Sequence, residues 1–529
     1  MTRKERRVPT GISMEPNQLN YTPPIQTSKK KSSGETGHIN VPFVVASGLV
    51  VASMGLAACT PVQATEAVPT GAAPSGEVTP ANPGATVIAP SVVAPTETAT
   101  IVPTWTPPVP TETATKVPEI VPPTSQEIDG AVARYTKSIG VTKESLHLET
   151  QTRMGLNGPF EVVVDITEKG DTFILIYDTA KNKWVNATVG NVSKQLNLNM
   201  GTLLSPPNQK NNFDQATMDR LDKLVVSEYN LAILPAMGWA WTDFGPNGED
   251  FSKADAALAL ARKNKMVTEG DDLVYGWSYR KNTYLADQKF DYQGQQLTIF
   301  QIKDKDPAAA KKMLTDIMVA HIKLVVGKYK GRVDQWSVVN ELGGKPGIDM
   351  FMDIIGPEYI ELAFQTARDA DPSAKLILNE AKNDTIKDDR YEMVKKIVDN
   401  LKAKGLIDAI GLQMHIDVAN PPTKEELVPF FQEWGLPVII SSADFNVKAV
   451  GGSTQVKNEK QAEAAAILMD AALESKVVTD YNFWDGYGDK YSWLGEAAGA
   501  TPFTNAGEPK PLIFALITEM AKRLPQKVK

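Results

Sequence analysis

From Leu198 onward the chain repeats one pattern, a short apolar segment followed by an amphipathic one. The apolar segments are predicted to be strands at 200–203, 229–234, 273–277, 335–339, 374–379, 409–413, 437–441 and 481–484. Helical spacing of apolar residues fills the intervals between them, as in 306–329. Strands alternating with helices in this number predict an α/β fold, a (β/α)8 TIM barrel over 198–529. An open doubly wound sheet is the alternative, but no glycine-rich phosphate turn follows an early strand.

Residues 1–59 are predicted to be a targeting segment. Three lysines at 29–31 precede an apolar run that ends in Leu-Ala-Ala and then Cys59. Small residues before a cysteine at the end of a short apolar run resemble a bacterial lipoprotein signal. The resemblance implies that Cys59 is lipidated and anchors an extracytoplasmic protein to the bacterial membrane. A plain secretory signal with a chance cysteine is the alternative, and it would give a secreted protein.

Two further regions precede the predicted barrel. Residues 60–125 are dominated by Pro, Thr, Ala and Val, so they are predicted to be a disordered linker. Residues 126–197 contain one helical pattern and apolar runs joined by a hairpin signal, which predicts a small α+β accessory region. Either a packing module or a sugar-binding module fits this region.

Composition excludes several classes of function. The net charge is −8 and the isoelectric point about 5.4, which argues against nucleic acid as a partner. The chain has four His and one Cys, so it has no internal disulfide and no Cys/His cluster with metal-ligand spacing. We therefore expect neither a metal nor an organic cofactor.

The fourth predicted strand ends in a polar pair. Residues 333–341 read Val-Asp-Gln-Trp-Ser-Val-Val-Asn-Glu, and a Gly-Gly pair follows shortly afterwards. The C-terminal ends of barrel strands are where this fold carries its chemistry. We therefore predict that Asn340 and Glu341 belong to an active site, although a strand that merely ends in polar residues would have the same pattern.

The segment 306–341 combines a long helix, a Lys/Gly turn and the motif W-x-V-V-N-E. This combination resembles the fourth strand of glycoside hydrolase family 10, the xylanase family. The resemblance implies that Glu341 is the general acid/base and that Asn340 contacts the 2-hydroxyl of the sugar.

Two more strand ends resemble the same family. Gln413 and His415 follow the sixth strand two residues apart, so they share one face. The resemblance implies that they bond the acid/base and the nucleophile. Trp484 ends the eighth strand, and Trp493 closes the motif D-K-Y-S-W. Indole faces stack on pyranose rings, and the resemblance makes both tryptophans walls of subsite −1.

The seventh strand departs from the family. The family pattern is L-P-V-x-I-T-E-L-D, whereas residues 436–444 read Leu-Pro-Val-Ile-Ile-Ser-Ser-Ala-Asp, so Ser442 occupies the nucleophile position. Retaining hydrolysis needs two carboxyl groups about 5–5.5 Å apart. A serine hydroxyl is neutral and has no evident base here. Asp444 lies on the same strand face, and it is expected to be structural because the family has an Asp there besides its Glu.

Subsite −1 departs from the family at two further strand ends. After the second strand the family has E-N-x-M-K-W, but residues 234–239 read Leu-Pro-Ala-Met-Gly-Trp. After the third strand it has G-H-x-L-x-W-H, and here Asp271 replaces the sugar-binding His and Tyr275 the Trp. Most polar ligands of that subsite are therefore missing.

Two functions remain open. The first is endo-β-1,4-xylanase-type hydrolysis of xylan or a related β-1,4-glycan, weakened by the loss of the nucleophile. Glu341 would be the acid/base. The role of the nucleophile would fall to Asp444, to a water molecule that attacks directly with inversion, or to a group that the sequence does not reveal. The second is a catalytically inactive cell-surface barrel that binds saccharide through Trp484 and Trp493. An engineered Glu→Ser variant fits less well, because the losses extend beyond Ser442.

Overall fold

The computed structural model describes residues 120–167, 170–205, 214–239, 243–245, 248–276, 283–342, 349–381 and 390–525. The predicted targeting segment with Cys59, and the predicted linker up to residue 119, lie outside these ranges. No helix within the described ranges is long and apolar enough to cross a lipid bilayer.

The N-terminal part of the described chain is an α+β unit. It consists of α1 Ser125–Ile139 and an antiparallel sheet in the order β1 Leu148–Gly155, β2 Gly158–Asp165, β3 Thr172–Asp178 and β4 Lys183–Asn186. Strand β1 was not predicted, because its mostly polar sequence lacks an apolar alternation. A capping box starts α1, in which the Thr124 hydroxyl accepts from the backbone N–H of Glu127.

This unit packs on the last helix of the chain, Pro511–Lys522. The rings of Tyr135 and Phe514 meet edge to face with centroids 4.8 Å apart. The Thr172 hydroxyl donates a 3.4 Å hydrogen bond to the carbonyl oxygen of Phe514. The buried side chains of the unit and of the barrel therefore form one continuous apolar cluster.

Eight parallel strands of the described chain form a closed ring. In ring order they are β5 Asn199–Leu203, β6 Leu231–Leu234, β9 Val267–Gly270, β13 Gln335–Asn340, β14 Lys375–Glu380, β15 Ala409–Leu412, β17 Val438–Asn446 and β18 Val478–Phe483. The ring closes where Asp480 pairs with Asn199. The smaller strands are β7 Asp243–Gly245, β8 Gly248–Asp250, β10 Val274–Tyr275, β11 Lys289–Tyr292, β12 Gln295–Thr298 and β16 His415–Asp417. The predicted (β/α)8 barrel is confirmed.

Helices connect the strands of the ring, except that α2 precedes the first strand and α13 follows the eighth. They are α2 Val189–Ser193, α3 Gln215–Glu228, α4 Ser252–Lys263, α5 Thr283–Asp287, α6 Ile299–Lys305, α7 Pro307–Tyr329, α8 Met350–Ile354, α9 Glu358–Ala370, α10 Tyr391–Ala403, α11 Lys424–Glu433, α12 Thr454–Ser475 and α13 Pro511–Lys522. Parallel strands need such crossovers, and this arrangement brings the carboxyl ends of all eight strands to one end of the barrel.

The third strand lies earlier than predicted. The apolar run 273–277 favoured a strand there, but the strand of the ring is β9, and only Val274–Tyr275 continue as a short strand beside β13. The sequence of β9 is half polar, yet Thr268 and Glu269 are both buried. The Glu269 carboxylate accepts a 2.8 Å hydrogen bond from Gln335 Nε2 inside the barrel. Because Thr268 and Glu269 are polar and form their hydrogen bonds with residues distant in the sequence, β9 lacks the apolar run that would predict a buried strand.

Candidate active site

Glu341 directly follows β13, the fourth strand of the ring. Its backbone N–H donates to the Asn379 carbonyl at 2.9 Å, so pairing with β14 holds the residue at the strand end. Its φ is +50°, a left-handed conformation that costs a non-glycine residue energy. The next N–H, of Leu342, donates to Glu380 Oε2 at 2.9 Å. The buried Glu380 carboxylate thus stabilises the turn that presents Glu341.

Both carboxylate oxygens of Glu341 accept hydrogen bonds. Tyr275 Oη donates to Oε2 at 2.9 Å, and Gln413 Nε2 donates to Oε1 at 3.1 Å. Burial, and then the Glu341 charge, raise the pKa of Tyr275 above its ordinary value, so the phenol keeps its proton. Two donors aimed at one carboxylate stabilise its ionised form.

Asn340 links Glu341 to the carboxyl groups that follow β9. Asn340 Nδ2 donates to Asp272 Oδ2 at 3.1 Å, and Asn340 Oδ1 lies 3.5 Å from Gln413 Nε2. Asp271 and Asp272 share a hydrogen bond, and burial together with their mutual repulsion raises the pKa of Asp272 well above its usual range. Burial therefore favours the neutral form of Asp272.

The Gln413–His415 pair extends this network toward β17. His415 Nε2 lies 2.9 Å from Gln413 Oε1, and His415 Nδ1 lies 2.7 Å from Asp444 Oδ2. The register of β16 against β17 places His415 directly opposite Asp444. Both ring nitrogens therefore face an oxygen atom, which fixes the orientation of the imidazole.

The two tryptophans play different parts in the geometry. Trp493 Nε1 donates to Asp444 Oδ2 at 3.0 Å, while 49% of the residue stays exposed to solvent. Trp484 is half-buried, and its carbonyl accepts a 3.2 Å hydrogen bond from Thr202. Trp493 thus presents a fixed, exposed aromatic face, of the kind on which a sugar ring stacks.

Ser442 stands apart from these contacts. It is only 4% exposed, and its hydroxyl makes no hydrogen bond to the described residues. The neighbouring Ser441 hydroxyl donates to Asn379 Oδ1 at 2.6 Å. Among the predicted residues, Asn340, Glu341, Gln413, His415 and Trp493 are connected by hydrogen bonds, and Ser442 and Trp484 are not joined to them.

Two acidic residues of the site were missed. Asp272 follows the position of the replaced histidine, and Asp485 follows Trp484 at the end of β18. The backbone N–H of Trp493 donates to Asp485 Oδ2 at 2.7 Å, and burial raises the pKa of Asp485 to about 7. Both residues could have been predicted from the sequence, because each is an acidic residue just past the end of a barrel strand. Within the described ranges, no group of three or more His, Cys, Asp or Glu side chains could hold a metal ion.

Known proteins share this fold and sequence pattern. The profile of glycosyl hydrolase family 10 matches residues 189–519. Endo-1,4-beta-xylanase B of Thermotoga neapolitana is 32% identical over 312 residues, which are 57% of this chain and 83% of that protein. Endo-1,4-beta-xylanase A of Caldicellulosiruptor sp. (strain Rt8B.4) is 34% identical over 263 residues, but they are only 36% of its length.

Solved xylanase structures also match this chain. Native xylanase 10B from Thermotoga maritima matches with a TM-score of 0.53 at 28% identity, over 64% of this chain and 99% of that one. Xylanase 10B from Thermotoga petrophila RKU-1, solved in complex with xylobiose, matches with a TM-score of 0.52 at 28% identity, over 64% and 98%. Fold and strand-end residues therefore define a (β/α)8-barrel protein of the glycoside hydrolase class. The chain belongs to glycosyl hydrolase family 10.

Proposed function

We propose that the barrel hydrolyses β-1,4 bonds of xylan or a related plant polysaccharide, with Glu341 as general acid. Membership of the family and the xylanase relatives support the substrate class. The observation that carries the proposal is the placement of Glu341. It ends the fourth barrel strand, and its carboxylate accepts hydrogen bonds from Tyr275 and Gln413.

These two contacts suit the task of a general acid. The acid delivers its proton to the glycosidic oxygen as the bond breaks and becomes a carboxylate. Tyr275 and Gln413 then stabilise the charge that forms on Glu341, because both donate to it. In the protonated state the phenol oxygen of Tyr275 can accept from the Glu341 hydroxyl instead.

Turnover is expected to be slow, because Ser442 brings no carboxylate to the nucleophile position. The same observation favours a second candidate, a barrel that binds saccharide without cleaving it. The exposed Trp493 face would then supply affinity, together with Trp484.

We also propose that the protein is attached to the outside of the bacterial membrane through a lipid on Cys59. The apolar run that ends in Leu-Ala-Ala-Cys supports this proposal. The full chain should fractionate with membranes and take up labelled fatty acid, and Cys59→Ala should do neither. Equal labelling of both proteins would reject the anchor.

The test of function is hydrolysis of an activated aryl β-xylobioside and of unactivated xylotetraose by the full chain, by Glu341→Ala and by Ser442→Glu, with and without azide. We expect slow hydrolysis of both substrates by the natural chain and faster hydrolysis in Ser442→Glu. Glu341→Ala should lose more activity on xylotetraose than on the aryl glycoside, because an activated phenol leaves without a proton from the acid. Glu463→Ala is the control, because Glu463 is exposed on α12. If no protein releases phenol under any condition but the chain retains xylan in affinity electrophoresis, the saccharide-binding function replaces the proposed hydrolysis.

A further inference from the structure

Asp485 lies beside the strand that lacks the expected carboxylate. Phe483 of β18 pairs with Ala443 of β17, the residue next to Ser442. Asp485 comes two residues after Phe483, at the same end of the barrel. The carboxyl group of Asp485 therefore belongs to the rim at which Ser442 is found.

The Asp485 side chain is held in place. Its Oδ2 accepts a 2.7 Å hydrogen bond from the backbone N–H of Trp493, and the Ser492 hydroxyl also bonds it. The surrounding loop is braced by an ion pair between Lys510 Nζ and Asp489 Oδ2 at 2.8 Å. A group fixed in this way needs little reorganisation during a reaction.

The environment of Asp485 suits proton transfer near neutral pH. Burial, and then the negative charge of Asp444, raise the pKa of Asp485 to about 7. Asp444, His415 and Tyr487 are the titratable groups that face it. A carboxylate that is more basic than usual is a better proton acceptor at the working pH of the enzyme.

Asp485 and Glu341 are on opposite sides of the barrel. Glu341 follows the fourth strand of the ring and Asp485 follows the eighth, so three strands lie between them in either direction. Ser442, on the seventh strand, is one strand closer. A carboxyl pair wider than about 5–5.5 Å, at roughly 6.5–9.5 Å, leaves room for a water molecule between the base and the sugar.

We infer that Asp485 is the catalytic base of an inverting hydrolysis, in which it activates a water molecule that attacks the anomeric carbon. The inference rests on the proposed function. The water oxygen forms a bond to the anomeric carbon and passes a proton to Asp485. The bond to the leaving oxygen breaks, and that oxygen takes the proton of Glu341. Solvent then returns a proton to Glu341 and removes one from Asp485.

Asp444 is less suited to this role than Asp485. Its Oδ2 already accepts from Trp493 Nε1 at 3.0 Å, and it lies 2.7 Å from His415 Nδ1. These contacts use the carboxylate to orient two neighbouring rings. Asp444 is therefore assigned a positioning role, whereas the contacts of Asp485, with a backbone N–H and a serine hydroxyl, orient no ring of the site.

The stereochemistry of the product decides between the mechanisms. We expect proton NMR of the fresh hydrolysate of an aryl β-xylobioside to show the α-anomer first for the natural chain. Ser442→Glu restores a carboxylate on the seventh strand and should give the β-anomer first, as a retaining enzyme does. The β-anomer from the natural chain would overturn the inference and leave the proposed function intact. Absence of hydrolysis by the natural chain would refute both.

Substitution of Asp485 tests the residue itself. We expect Asp485→Asn to lower kcat on the order of 10²–10⁴-fold and to abolish the acidic limb of the pH profile near pH 7. Asp399→Asn is the matched control, because Asp399 lies on α10 away from the site. Circular dichroism melting must show that Asp485→Asn is folded. If the variant fails this check, Asp485→Glu replaces it, with a shifted acidic limb expected. Full activity and an unshifted profile in the folded variant would rule out Asp485 as the base.

Discussion

Tyr275 Oη donates a 2.9 Å hydrogen bond to Glu341 Oε2 and ties the residue after the third barrel strand to the proposed acid on the fourth. Strand pairing brings the two residues together, because Tyr275 pairs with Asn340, the neighbour of Glu341, in the register of β10 against β13. Since burial raises the pKa of the Tyr275 phenol, the group remains a donor throughout the working pH range.

Removal of this phenol should lower the activity. In Tyr275→Phe the ionised form of Glu341 loses a charge-assisted hydrogen bond, worth about 1.5–3 kcal/mol. We expect kcat/KM to fall by about tenfold to a hundredfold, because this bond is strongest to the carboxylate that forms on Glu341 as the glycosidic bond breaks. Tyr292→Phe is the matched control, since it removes a tyrosine–carboxylate contact to Asp306 on the surface. An unchanged kcat/KM in folded Tyr275→Phe would show that the contact does not act on the acid.

Substitutions at Trp493 should separate stacking from hydrogen bonding. Trp493→Phe keeps an aromatic face but removes the donor to Asp444, whereas Trp493→Ala removes both. We expect Trp493→Ala to weaken xylo-oligosaccharide binding by about tenfold or more and Trp493→Phe to weaken it less, because an aromatic face contributes about 0.5–1.5 kcal/mol beyond its buried area. Isothermal titration calorimetry measures both. Leu156→Ala, an exposed apolar residue of the N-terminal unit, is the control. Equal losses in the two tryptophan variants would assign the effect to the indole N–H.

The fold was predictable because its helices are long and amphipathic and most of its strands are apolar. The helix predicted at 306–329, for example, is observed as α7 Pro307–Tyr329. The errors have a common cause in buried polar groups. Strand β9 contains the buried Glu269. Its carboxyl group is stabilised by a hydrogen bond from Gln335, which lies far away in the sequence. No local pattern contains that information.

The site was predictable where the residue type and the strand end coincide. Glu341, Gln413 and His415 were identified in this way, and hydrogen bonds connect them. Asp485 was missed because its properties depend on its burial and on a contact with the backbone of Trp493, neither of which the sequence displays. The sequence predicted that Ser442 stands at the nucleophile position, but it did not show that Asp485, after the neighbouring strand, lies at the same end of the barrel.

Glu269 should make the stability of the barrel depend on pH. Burial raises the pKa of its carboxyl to about 8, from an ordinary value of 4.5. Between these values the native state keeps a proton that the unfolded state has released. The free energy of unfolding therefore falls as the pH rises from about 4.5 to 8, by up to about 1.4 kcal/mol per pH unit.

The variant Glu269→Gln should remove this dependence, because a glutamine is neutral at every pH and can still accept the hydrogen bond from Gln335 Nε2. Urea unfolding at pH 5 and at pH 8.5 measures the effect. We expect the variant to resemble the natural chain at pH 5 and to be more stable at pH 8.5, by an amount on the order of a few kcal/mol. Glu463→Gln is the control, since its side chain is 60% exposed and no buried charge is removed. A parallel loss of stability with pH in the natural chain and in Glu269→Gln would mean that Glu269 is ionised in the folded barrel.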